Sequence, residues 1–345
     1  MTPADRESWL ERTSETVVAP ELAVFDPHHH LWDYPGSRYL IEEFLADVGG
    51  GHRLTGTVYV ECQQFYESEG PEPFRPVGET RCIDGLAGMR ELDAGPVEVA
   101  AGIVGFADLA RGQASQAVLE AHAEASPRFR GVRHATAWHE NEKVHNAHTR
   151  PPPGLMADNC FRQGVACLAS MGLSFDAWLY HPQLPELADL ARTFPDLTIV
   201  LNHMAGPLGI GPYDGRRDAV FDAWLTGMAD VAACENVFVK LGGRAMTSAG
   251  FGWHRMDAPP DSDRLAGAMK PYVQTCVDLF GPARCMFESN FPVDRASCSY
   301  TVLWNAFKKL SSEYSPSEQR ELLHDTATRV YRVEPEVGAR QGGAQ

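Results

Sequence analysis

Short apolar, β-branched runs recur along the chain and alternate with stretches whose apolar residues repeat at helical spacing. Eight runs read as strands: Ala23–His28, Thr55–Cys62, Glu98–Gly105, Phe129–Ala135, Leu173–Tyr180, Leu197–His203, Asn236–Gly242 and Arg284–Asn290. Between them the spacing predicts helices over Gln113–Ala125, Phe161–Met171, Pro185–Phe194, Arg217–Cys234 and Arg264–Phe280. Strand-helix alternation implies right-handed parallel crossovers. Eight such units suit a closed (β/α)8 TIM barrel, an α/β fold that leaves no sheet edge. The alternative, an open doubly wound sheet, usually carries a glycine-rich phosphate turn after its first strand. Histidines occupy that place here. The expected organisation is one barrel domain over residues 1–345, with residues 1–20 an N-terminal extension and residues 335–345 a flexible tail. Pro151–Gly154 and Gly206–Gly215 read as loops.

Composition narrows the partners. The 345 residues are 44% hydrophobic and 22% charged, enough for a large core, and the formal net charge is −16. That charge argues against nucleic acid or an anionic membrane surface. It leaves room for a small-molecule substrate, since a few local arginines decide local affinity. No apolar run approaches the roughly 18 residues that span a bilayer, and the first twenty residues hold no apolar signal core. Eight cysteines lie scattered without a Cys-x-x-Cys pair, which reads as reduced thiols in a cytoplasmic protein. A homodimer is a candidate assembly.

The densest chemistry opens the first strand, in Asp26-Pro27-His28-His29-His30-Leu31-Trp32. Side chains two apart on a strand share a face, so His28 and His30 can converge on one metal ion or one substrate oxygen. In a barrel, function sits where strands end. The other strand ends carry Glu61, Arg133 with His134, Tyr180 with His181, Asn202 with His203, Lys240, and Glu288 with Asn290, followed by Asp294. Any one of these could be a satisfied polar residue. Seven strand ends all bearing ionisable groups are costly to half-bury without a purpose.

Several stretches together resemble the amidohydrolase superfamily, in the branch of TIM-barrel metal-dependent hydrolases that includes sugar lactonases and pyrone-dicarboxylate lactonase. They are DPHHHLWD, RFRGVRHA, DAWLYHPQLPELADLARTFPDLTIVLNHMAGP, VKLGG and MFESNFPVD, spanning residues 26 to 294. The resemblance implies hydrolysis, most often of lactones, although other branches decarboxylate or deaminate. Two departures qualify it. Strand four offers Arg133, which cannot ligate a metal, where two-metal members place a bridging lysine or acid. Strand eight reads Glu288-Ser289-Asn290-Phe291-Pro292, so Asn290 stands where the family aspartate is expected, and an amide cannot take a proton as a base. Glu288 should share the inward face of that strand, about 7 Å deeper, and Asp294 could fold back over the mouth.

For lactone opening, His28, His30, His181 and His203 could hold one divalent ion, with zinc the leading candidate. Without a metal, the same imidazoles could stabilise the oxyanion. Glu288, His203 and Asp294 are the candidate catalytic groups. Arg133, Glu61, Tyr180, Lys240 and Asn290 are the candidate substrate contacts, with Arg133 suited to a carboxylate or to an ion pair with Glu61 or Glu288. Trp32 and Tyr180 could form an apolar wall, and His254 lies in a loop that could reach the mouth. Three readings stand at this point: a lactonase acting on a small polar or carboxylated cyclic ester, a metal-dependent decarboxylase or other lyase, and a non-catalytic binding protein.

Overall fold

The computed structural model describes residues 3–92 and 97–333. Eight parallel strands follow one another in sequence order around a barrel. They are β1 (Ala23–His29), β2 (Arg53–Val60), β3 (Glu98–Gly105), β4 (Phe129–Val132), β5 (Ser174–Ala177), β6 (Ile199–Leu201), β7 (Val237–Leu241) and β8 (Cys285–Phe287). The ring closes just past the end of β8. The Asn290 N–H donates to the His28 carbonyl (2.9 Å), the His30 N–H donates to the Phe291 carbonyl (2.8 Å), and His29 bridges Phe291. The (β/α)8 barrel expected from the alternation is therefore the fold.

The predicted helices lie where their periodicity puts them. They span Ser115–Ala125, Asn159–Ser170, Leu184–Thr193, Arg217–Ala232 and Ser262–Phe280. Two of them start on aspartate caps: Asp158 accepts the Phe161 N–H (2.9 Å) and Asp261 the Arg264 N–H (2.8 Å). The observed strands are mostly shorter than the apolar runs, because the last residues of several runs bend out of the sheet into the site.

Elements beyond those patterns complete the shell. Residues 3–10, within the expected extension, form a helix. That helix and the segment after it are tied to the body: Trp9 donates to the Met256 carbonyl (2.9 Å) and Glu15 accepts from Ser262 and Asn305. A hairpin pairs Trp32–Tyr34 with Ser37–Tyr39. The last helix among the described residues, Thr326–Tyr331, closes the barrel floor, where Tyr331 and Val333 pack with Phe25, Val58, Val200 and Met286. The expected tail, 335–345, lies outside the described residues. Among the described residues no helix is long and apolar enough to cross a membrane.

A register shift between Asp26 and His29 sets the geometry of the first strand's end. Phe25 joins the inner floor cluster, yet His29 stacks outward on Phe44 with ring centroids 4.3 Å apart. Strict alternation would put residues 25 and 29 on one face. The bulge inverts the pleat and leaves His28 and His30 facing the interior.

Candidate active site

Glu288 is the hub. Its Oε1 lies 2.6 Å from His203 Nδ1 and also accepts the His203 backbone N–H (3.1 Å). Its Oε2 lies 2.7 Å from His28 Nδ1, off the line of the ring N–H, so this buried oxygen keeps an unfilled lone pair. β1, β6 and β8 thus deliver one side chain each to a single cluster. His28 and Glu288 are fully buried and His203 nearly so.

Local backbone makes this approach feasible. His203, Met204 and Ala205 take left-handed φ values of 56°, 51° and 59°, and Gly206 follows at 43°. Left-handed turns of non-glycine residues are strained by roughly 1–2 kcal/mol each. Here the turn swings His203 off the end of β6, and Trp224 holds it by donating to the Met204 carbonyl (2.7 Å). Two glycines after β7 clear the space. A Cβ on Gly242 would sit 2.4 Å from Glu288 Cγ, and one on Gly243, at φ +67°, would sit 2.6 Å from His203 Cβ. The Gly-Gly of VKLGG is thus a steric requirement of the cluster. The residues were visible in the sequence, but their role was not.

Charge surrounds His28. Arg133 NH1 lies 3.3 Å from its Nε2 and Lys240 Nζ 3.3 Å from its Nδ1. A neutral imidazole accepts at one nitrogen only, so the ring can answer one of these cations. Burial, with Lys240, His203, His30 and Arg133 behind it, holds the ring well below the usual histidine range, hence neutral. Both cations are balanced elsewhere. Arg133 Nε donates to Glu61 Oε1 (2.7 Å), and its NH2 reaches the Glu61 carbonyl. Burial alone would raise the Glu61 carboxyl, but Arg133 and His148 override it and hold it at about 2. Lys240 pairs with Asp176 (2.8 Å), which also accepts from Asn202 and from the Tyr331 hydroxyl at 2.8 and 3.0 Å.

The remaining candidates surround this core. His30 donates its Nδ1–H to the Val60 carbonyl (2.7 Å), which leaves its Nε2 lone pair bare, and its ring lies 4.9 Å from that of His28. His181 is set apart: its Nδ1 receives the Leu208 N–H (3.5 Å), its ring meets Tyr213, and burial lowers it to about 4. Tyr180 donates to the His145 carbonyl (2.5 Å) and packs with Leu208 and Val144. Asn290, at φ 55°, donates to Asp294 Oδ1 (3.1 Å). Asp294 is buried, which pushes its carboxyl well above the usual range. His134 turns away from Arg133, toward Phe106 and Phe161. His254 sits beside Arg255. Sequence reasoning did not single out His148, whose Nε2 lies 3.1 Å from Glu61, nor Asp176 and Tyr331. His148 belongs to a long loop, and loops carry no periodicity that would place it.

Among the described residues, His28, His203 and Glu288 form the one group whose nitrogen and carboxylate donors all lie within 4.8 Å of one another. Two imidazoles and a carboxylate with an unfilled oxygen suit a single zinc-like ion. Arg133 and Lys240 place positive charge on two sides of His28 in that group.

The amidohydrolase family profile matches residues 25–333. The chain belongs to the amidohydrolase family. This amidohydrolase is 33% identical over 336 residues to the uncharacterized protein y4mH of Sinorhizobium fredii, covering 91% of the chain and 99% of that protein. It is 25% identical to an L-fucono-1,5-lactonase of Burkholderia multivorans, covering 91% of the chain and 98% of the relative. Its fold matches the crystal structure of an amidohydrolase from Burkholderia multivorans with bound zinc, at a TM-score of 0.66 and 22% identity, over 90% of this chain and 99% of that one. The family and its lactonase-named relatives make this protein a hydrolase that acts on small molecules.

Proposed function

We propose that this amidohydrolase is a lactonase that opens a small polar cyclic ester by adding water. The observation that carries the reading is the Glu288–His203 pair (2.6 Å). A carboxylate that receives the Nδ1–H fixes the tautomer and leaves Nε2 as a base, as in other acid-oriented histidine catalysts. His203 Nε2 takes the proton of the attacking water as the new C–O bond forms at the lactone carbonyl. Collapse of the tetrahedral adduct breaks the ring C–O bond, and the protonated His203 returns its proton to the leaving alkoxide. The product is an open-chain hydroxy acid.

Developing negative charge on the carbonyl oxygen needs a donor. Arg133 keeps Nε and NH2 on Glu61, so NH1 is the donor it can offer. A divalent ion held by His28, His203 and Glu288 would supply Lewis-acid polarisation and a more acidic water in place of the His203 base, since an imidazole that ligates a metal has no lone pair left for a proton. Asp294, whose carboxyl burial pushes well above the usual range, supports the site through Asn290.

The test is a metal analysis of the purified protein paired with a lactone screen that includes L-fucono-1,5-lactone, run with and without zinc. Ring opening of a sugar lactone is the expected result. Failure to open any lactone in either state overturns the reading, and loss of carbon dioxide from an aromatic acid in its place would assign lyase chemistry.

A further inference from the structure

We propose that Trp178 determines substrate specificity by offering its indole N–H to a ring hydroxyl of the bound cyclic ester, an inference that rests on the lactonase reading. Five rings run in contact across the barrel mouth. Trp32 stacks on His30 (6.1 Å, 19°), His30 meets His28 (4.9 Å), His28 meets His203 (4.7 Å), and His203 meets the edge of Trp178 (4.7 Å, 76°). The three imidazoles are buried, while the two indoles that flank them are partly exposed. Each indole in turn meets a tyrosine, Trp32 with Tyr34 (5.7 Å) and Trp178 with Tyr180 (5.5 Å). A ligand therefore reaches the imidazoles past the exposed part of a flanking indole, and Trp178 is the flank that touches the proposed base.

The two indoles are not equivalent. Trp32 donates its N–H to Ser37 Oγ (3.3 Å). The Trp178 N–H is neither buried nor given to any acceptor among the described residues. The residue is nonetheless held in place. Its backbone carbonyl receives the Thr136 N–H (2.8 Å) and hydroxyl (3.2 Å). Its ring lies on Gly206, where a Cβ would come within 2.7 Å of Cη2. A rigid aromatic ring with a spare donor beside a catalytic base fits a specificity determinant.

The chemistry of the surroundings names what that donor would meet. Arg133 and Lys240 are both neutralised by Glu61 and Asp176. Arg244, buried after β7, gives NH1 to the Pro207 carbonyl (2.6 Å) and lies over the Tyr272 ring (4.2 Å), while its Nε has no acceptor among the described residues. The two cations beside His28 thus have carboxylate partners within the chain, so an anionic ring gains little there. Bare Nε2 lone pairs on His30 and His203 accept hydrogen bonds, and the Trp178 N–H donates one. Hydroxyl groups on a neutral saturated ring answer both needs.

The experiment compares wild type, Trp178→Phe and Trp178→Leu on two six-membered lactones, L-fucono-1,5-lactone and the hydroxyl-free δ-valerolactone. Phenylalanine keeps a ring against His203 but removes the donor. Trp178→Phe should lower kcat/KM for the hydroxylated lactone about tenfold more than for δ-valerolactone, chiefly through KM. Trp178→Leu should lower both. Equal effects of Trp178→Phe on the two substrates, or none on either, overturn the proposal, as thermal melts confirm that the variants are folded. Should wild type open neither lactone, the lactonase reading falls, and calorimetric binding of the two ring-matched lactams decides on Trp178. Selective weakening of the hydroxylated lactam by Trp178→Phe sustains it; equal binding by the variant, or no binding by wild type, removes it.

Discussion

Oε1 of Glu288 lies 2.6 Å from Nδ1 of His203, and the same oxygen accepts the His203 backbone N–H at 3.1 Å. One carboxylate oxygen thus fixes both the ring and the main chain of the residue we assign as base. Asn290, which stands where the family aspartate is expected, donates to Asp294 and takes no part in this contact.

Glu288→Gln keeps the shape of that contact and removes the charge that orients the imidazole. It should cut kcat by about two to four orders of magnitude while substrate still binds. Asp294→Asn should cost far less, since Asp294 makes no hydrogen bond to His203 or His28 and touches the neighbouring Asn290 and Ala245 instead. Steady-state kinetics on the two variants check the ordering, and the reverse ordering would move the working carboxylate to Asp294.

Arg133 carries two roles that separate by pH. Arg133→Lys loses the planar fork on Glu61 and should lower kcat/KM about tenfold, roughly 1.4 kcal/mol. Arg133→Met leaves Glu61 buried beside His148 without its arginine and should cost about 3–5 kcal/mol of stability. The Glu61 carboxyl sits near 2 in the folded protein, against about 4.3 in an unfolded chain. A depressed carboxyl adds stability above the unfolded value, and that stability fades as pH falls from about 4 to about 2. Melting temperatures across that window should drop for wild type, and the drop should shrink in Arg133→Met.

Gly243→Ala meets His203 Cβ at 2.6 Å and forces alanine to φ +67°. It should destabilise the fold by about 1–3 kcal/mol and lower kcat as His203 is displaced. Gly267→Ala, in the helix over Ser262–Phe280 where a Cβ meets nothing within 4 Å, is the control and should be neutral or slightly stabilising. Thermal melts alongside kinetics separate the two.

At most one divalent ion per chain should co-purify. His28, His203 and Glu288 form the candidate ligand group, and Arg133 and Lys240 lie 3.3 Å from His28 on either side. Elemental analysis of active protein that finds two tightly bound equivalents would exclude this arrangement. Lys240→Met should weaken the fold more than Tyr331→Phe, since it leaves Asp176 as an unpaired buried charge and the phenol is one of three donors to that carboxylate.

The sequence by itself determined the barrel, because strand-helix alternation is a local signal with a period that a single chain displays. It also determined which residues stand at strand ends, since side chains alternate along a strand. His28, Arg133, His203, Lys240 and Glu288 were legible on those grounds. Which of them meet was decided by the tertiary structure. Strand period tells the face a side chain takes but not which strand lies opposite it across a closed barrel. Closure brings Glu288 of β8 between β1 and β6, gives Arg133 to Glu61, and sends Lys240 to Asp176. The bulge after Asp26, the left-handed turn at 203–206 and the cleared space at Gly242 and Gly243 set the distances. These are backbone departures from regular geometry, stabilised by packing from elements far away in the chain. Local pattern therefore located the site, and contacts between distant segments determined its chemistry.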